Sequence, residues 1–115
     1  MSNIKEDLYI YKAYVTDVYD GQNISCIIDC GFNIGTQQNQ IQLYGIYTPN
    51  IVGDTEDIGI YVRDELRKKI LGKEVYLKTI KNTNTDKYFG IIYTVDSLCI
   101  NEWLVNMNYA VTHFL

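Results

Sequence analysis

Apolar and polar positions alternate along the chain in short runs and switch once to a helical spacing. Between Leu8 and Tyr19 the β-formers Tyr9, Ile10, Tyr11, Tyr14, Val15 and Val18 predict a strand, and Asp20-Gly21 supplies the turn that reverses it. Ile24, Cys26, Ile28 and Cys30 then alternate with Ser25, Ile27 and Asp29. This period of two places one row on a core face, and Gly31 ends the run. A polar loop over Asn33 to Gln40 leads to a third strand, Ile41 to Ile46, which stops at Thr48-Pro49 because proline cannot continue a ladder.

The acidic segment Asp54-Thr55-Glu56-Asp57 suits the positive end of a helix dipole. Ile58, Val62, Leu66 and Ile70, joined by Tyr61, recur at helical steps, with Arg63, Asp64, Arg67 and Lys68 facing away and Gly72 placed to end the helix. Val75, Leu77 and Thr79 predict a fourth strand, Asn82 to Lys87 a polar loop, and Gly90 to Val95 a fifth strand. A short helix over Asn101 to Met107 follows, its apolar side formed by Trp103, Leu104 and Met107. The sum is an α+β, mainly β fold: a five-stranded OB-fold barrel with one main helix after the third strand and a short C-terminal helix. Barrels of this kind bind oligonucleotides on one face.

Composition narrows the class. At 115 residues, 47% hydrophobic and 21% charged, with one proline, the chain has the makeup of a single globular domain over 1-115, with its core in about 8-114, and not of a disordered or fibrous one. No apolar run approaches the roughly 20 residues needed to cross a bilayer, and Met1 to Asp7 lacks the apolar stretch of a signal peptide, so the expectation is a cytoplasmic, non-secreted protein without membrane contact. The abundance of Ile, Asn, Lys and Tyr, whose codons are A/T-rich, points to a low-GC genome such as that of a virus or phage. Three cysteines, Cys26, Cys30 and Cys99, and a single histidine, His113, make neither a disulfide framework nor a zinc set; the thiols are expected to be buried, and no cofactor or metal is expected. The net charge of −4 runs against the basic footprint of non-specific nucleic-acid binders, but all eight bases of the second half lie between Arg63 and Lys87.

Four motifs carry a resemblance. Val18-Tyr19-Asp20-Gly21, Gln42-Leu43-Tyr44-Gly45-Ile46-Tyr47-Thr48-Pro49-Asn50, Thr85-Asp86-Lys87-Tyr88 and Ile100-Asn101-Glu102-Trp103-Leu104-Val105 resemble, in order and approximate spacing, the staphylococcal nuclease-like (thermonuclease) domain, from about Tyr11 to Phe114. That family cleaves phosphodiesters with calcium, a glutamate that activates water and two arginines that stabilise the transition state. Carried over residue by residue, the resemblance implies a degenerate site. Gln22 replaces a metal-binding aspartate, Gln42 an arginine, Tyr47 the second aspartate and Asn50 the glutamate base, while Thr48, a backbone-carbonyl contributor, is retained. Phe89 or Gly90 falls at the second arginine, depending on where a gap is placed.

No carboxylate remains among the aligned ligands, and calcium wants anionic oxygens, so the implied site lacks metal and catalysis. Asp20 and Asp29 are the carboxylates left nearby, read as an aspartate in a tight turn and one on a solvent-facing strand position. Lys87 and Tyr88 match family residues that contact a nucleotide phosphate, and Tyr44, Tyr47 and Phe89 would line the cleft with rings able to stack on a base. The expectation is a pseudonuclease that binds a nucleotide or single-stranded nucleic acid without cleaving it. The alternative is a protein-interaction or structural module, such as a viral component or an inhibitor of a host defence protein, with residual calcium-dependent nuclease activity as a third reading. Active secreted members carry a further helix beyond the position of Leu115, which adds a homo-oligomer or a completing protein partner to the expectations.

Overall fold

The computed structural model describes residues 10–31, 34–35, 39–81 and 88–113. In chain order the elements are β1 (Ile10–Val18), β2 (Asn23–Asp29), β3 (Asn39–Leu43), β4 (Ile46–Tyr47), a 3-10 turn (Gly53–Thr55), α1 (Glu56–Ile70), β5 (Glu74–Lys81), β6 (Tyr88–Thr94), α2 (Ile100–Asn106) and β7 (Val111–Thr112). Five strands close a barrel in the order β1-β2-β3-β6-β5, with β5 returning to β1; the β3–β6 pair is parallel and the others antiparallel. This is an OB-like barrel with the main helix after β3 and the short helix near the end, as the sequence pattern predicts.

Closure depends on β1 pairing on both sides. Its first half, Ile10 to Tyr14, pairs with β5, while Lys12 to Val18 pairs with β2, and the register shifts between Val15 and Asp17. A bulge there bends and twists the strand, which lets one strand turn a barrel corner. The core then follows the alternation: Ala13, Val15 and Val18 of β1, Ile24 and Cys26 of β2, Ile41 and Leu43 of β3, Val75 and Leu77 of β5 and Ile92 of β6 are buried. Val62, Leu66 and Ile70 of α1 join them.

The apolar face of α1 begins one residue later than its pattern suggests. Ile58 is 59% exposed, and Gly59 takes the buried position instead. A Cβ at Gly59 would lie 2.1 Å from the Asn50 carbonyl oxygen, so the first turn of the helix can rest on the Asn50 backbone only because no side chain intervenes. Three other positions depart from expectation for local reasons. Met107 is 47% exposed because it follows the end of α2 instead of lying on its buried side. Of the three thiols only Cys26 is buried, since Cys30 falls just past β2 and Cys99 caps α2. Ser25 is buried on the nominally outer side of β2, where its Oγ donates to the Tyr19 hydroxyl at 2.9 Å.

The third strand does not run unbroken to Ile46. It stops at Leu43, Tyr44-Gly45 turns with Gly45 at φ +77°, and β4 starts a separate ribbon with β7. Asn101 holds this turn in place. Its Nδ2 donates to the Tyr44 and Gly90 carbonyls at 2.9 and 3.1 Å, and its Oδ1 accepts the Ile92 N–H at 3.1 Å. One buried amide therefore ties α2, β6 and the Tyr44 turn together. Asn101→Ala leaves the Ile92 N–H buried without a partner, and urea unfolding should show a loss of about 2–3 kcal/mol.

Candidate functional site

The β1–β2 turn is shaped by Asp20. Its Oδ1 accepts the backbone N–H groups of Gln22 and Asn23, both at 2.8 Å, and the Asn23 amide donates to both carboxylate oxygens at 3.0 and 2.9 Å. Such side-chain capping is what aspartate does best in a tight turn. At Gly21 a Cβ would fall 2.7 Å from Val62 Cγ1 and 2.9 Å from Thr48, so the turn presses directly on α1 and on the segment after β4. This contact sets Gln22 against Thr48: Gln22 Oε1 accepts the Thr48 N–H at 2.6 Å and the Thr48 hydroxyl at 3.2 Å.

Two of the aligned positions meet across the barrel wall. Gln42 is in register with Asn23 on one side and Phe89 on the other. Of the two candidates for the second arginine position, Phe89 is the one on the outer side; a Cβ at Gly90 would meet Leu77 and Ile41 inside the barrel at 2.6 and 2.7 Å. Phe89 is nevertheless only 9% exposed and rests edge-on against Tyr44, with ring centroids 5.7 Å apart. It supports Tyr44 and offers no open face for stacking.

The remaining aligned residues are dispersed around this patch. Tyr47, 52% exposed, stands on the β4–β7 ribbon with its ring 5.8 Å from that of His113. Asn50 is exposed, and its carbonyl accepts the Thr55 hydroxyl at 2.9 Å. Tyr88, 40% exposed, opens β6 beside Ile41 of β3. Lys87 lies outside the described residues. Asp29 is exposed and caps the Gly31 N–H at 2.8 Å, as a turn residue.

The donor set does not fit calcium. Gln22 Oε1 already serves two donors, Asp20 has all its hydrogen-bond partners within its own turn, and Tyr47 and Asn50 bring no carboxylate. Among the described residues no three His, Cys, Asp or Glu side chains gather as a metal set. Calcium prefers several anionic oxygens, and a cluster of amides, a phenol and one carboxylate already engaged by its own turn does not provide them. The four cations of α1 are engaged in local structure. Arg63 and Arg67 meet Asp64 at 3.1 and 3.8 Å, Lys68 meets Glu65 at 2.8 Å, and Lys69 lies 5.3 Å from the centre of the Trp103 ring.

Sequence reasoning did not single out a groove of about 250 Å³ over β2 and β3, bounded by Tyr19, Asp20, Asn23, Gln40 and Gln42. The strand 2–3 face is where OB folds take their ligands. Gln40 and Gln42, one period of two apart, are the available signal for it. Against known proteins, no family model and no curated protein matches the chain.

Cys26 has no catalytic posture. Burial pushes its thiol up to about 12, so the folded protein holds the proton where an unfolded thiol, ordinarily near 9.0, releases it. The raised value stabilises the fold fully below pH 9.0, and that contribution is lost as pH rises from there towards 12. The urea midpoint of the wild-type chain should therefore fall more steeply above pH 9.0 than that of Cys26→Ala. A thiol reagent at neutral pH should modify Cys30 well before Cys26.

Proposed function

We propose that this chain is a binding module of nuclease-like ancestry that holds a nucleotide or single-stranded nucleic acid on its barrel face and does not cleave it. The observation that carries this reading is the groove over β2 and β3, which gathers Tyr19, the amides of Asn23, Gln40 and Gln42, and an Asp20 carboxylate held by its own turn. Amide side chains have both a donor and an acceptor, which suits base edges, and tyrosine rings suit base faces. Tyr88, exposed at the start of β6, extends the aromatic surface, and Lys87 supplies the phosphate contact that the motif resemblance implies; Tyr44 lines a different groove. Neutral recognition of this kind fits a chain with a net charge of −4 better than a phosphate-dominated mode would.

Fluorescence anisotropy with short labelled single-stranded oligonucleotides and mononucleotides at low salt tests the reading. Tyr88→Ala should weaken binding about tenfold, in line with the loss of one stacked base. Gln42→Ala and Lys87→Ala should each weaken it severalfold. Absence of binding, or binding indifferent to all three substitutions, overturns the reading. Denatured DNA incubated with the chain and calcium should stay intact, because the aligned general base and both arginines are replaced.

A second reading, a protein-interaction module, draws on the exposed rings of Tyr14, Tyr47, Tyr61 and Tyr76. Tyrosine is enriched at protein interfaces. Recovery of a stoichiometric protein partner free of nucleic acid would favour it.

A further inference from the structure

A second groove, of about 340 Å³, opens between the Tyr44–Gly45 turn, the β4–β7 ribbon, β6 and α2, and shares no residue with the amide groove. Its apolar walls come from Ile46, Ile91, Tyr93 and Val105. Asn101, also part of the groove, has its amide committed to Tyr44, Gly90 and Ile92. The one acidic or basic side chain on this groove is Glu102, which is exposed and joins no ion pair among the described residues. The nearby cation of α1, Lys69, is held over the Trp103 ring.

We propose that this groove is a docking site for a protein segment carrying an aliphatic side chain next to a lysine or arginine. The aliphatic group fills the apolar trough, and the cation pairs with Glu102. Charge complementarity selects this occupant. An exposed carboxylate attracts a cation modestly and repels the phosphates of a nucleic acid. The net charge of −4 adds a long-range bias in the same direction. The inference stands apart from the nucleic-acid reading, because the two grooves share no residue, and the Asp20 carboxylate of the amide groove accepts hydrogen bonds from Gln22 and Asn23 whereas Glu102 joins no ion pair among the described residues.

The test is a titration of the isotope-labelled full chain with acetyl-Gly-Leu-Lys-Gly-amide, followed by backbone amide NMR shifts. Changes should centre on Tyr44, Ile91, Tyr93, Glu102 and Val105. The same peptide with glutamate in place of its lysine, or glycine in place of its leucine, should bind more weakly. Glu102→Gln should weaken the lysine peptide on the order of threefold, as for a partly exposed ion pair. Glu102→Lys should invert the preference towards the glutamate peptide. Unchanged shifts far from the groove report that these exposed substitutions leave the fold intact. Absence of shifts at the solubility limit of the peptide, equal binding of lysine and glutamate peptides, or displacement of the peptide by an oligonucleotide overturns the inference.

Discussion

The amide oxygen of Gln22 decides what this end of the barrel can hold. It faces the Thr48 N–H at 2.6 Å and the Thr48 hydroxyl at 3.2 Å, so two donors occupy the acceptor that a cation would need. A carboxylate could spare a second oxygen for a metal, whereas an amide has only one. The contact exists because Gly21 lets the turn approach Thr48 and Val62 within van der Waals distance, and because Asp20 fixes the turn by capping it. Packing and hydrogen bonding converge on one short segment.

Around that segment the fold separates surfaces of different chemistry. The amides of Asn23, Gln40 and Gln42, the Tyr19 side chain and the turn-bound Asp20 carboxylate border the β2–β3 groove, Glu102 borders the groove beside α2, and Arg63, Arg67 and Lys68 are paired along α1 while Lys69 lies over the Trp103 ring. The formal charge of a chain averages over such regions, and here it hides them. Arg67 illustrates the local use of the cations: besides meeting Asp64, its Nε donates to the Val18 carbonyl at 3.1 Å, tying the helix to the end of β1.

Much of this architecture was legible in the sequence, because a barrel strand buries alternate residues and a helix on its end buries one stripe. The barrel strands and both helices follow from that periodicity. What escaped it has specific causes. A two-residue strand such as β7 has no period, so the β4–β7 ribbon could not be seen. Ile58 looked like the first core position of α1, yet the pressure of the Asn50 backbone rewarded Gly59 instead. Asn101 reads as an ordinary polar residue in a short helix, and its role emerges only from three partners on other segments, nine to 57 positions away. Likewise the motifs suggested an open aromatic cleft, but they could not reveal that Phe89 spends its ring on Tyr44.

On the reading proposed above, electrostatics supplies a reason for a nuclease-like scaffold to bind without cutting. A cluster of carboxylates without its metal is self-repelling, and it repels a phosphodiester as well. Replacing carboxylates by amides removes both repulsions and leaves side chains that bond to one another and to the backbone, as Gln22 does with Thr48. On that reading, arginines left behind would stand as uncompensated positive charge. On the proposed reading, exchanging acids, base and arginines together keeps the site nearer electrical balance than removing one sign of charge alone. In the proposed reading this balance is what frees the neighbouring β2–β3 face to recognise bases through neutral groups, with the metal-dependent chemistry given up as a unit.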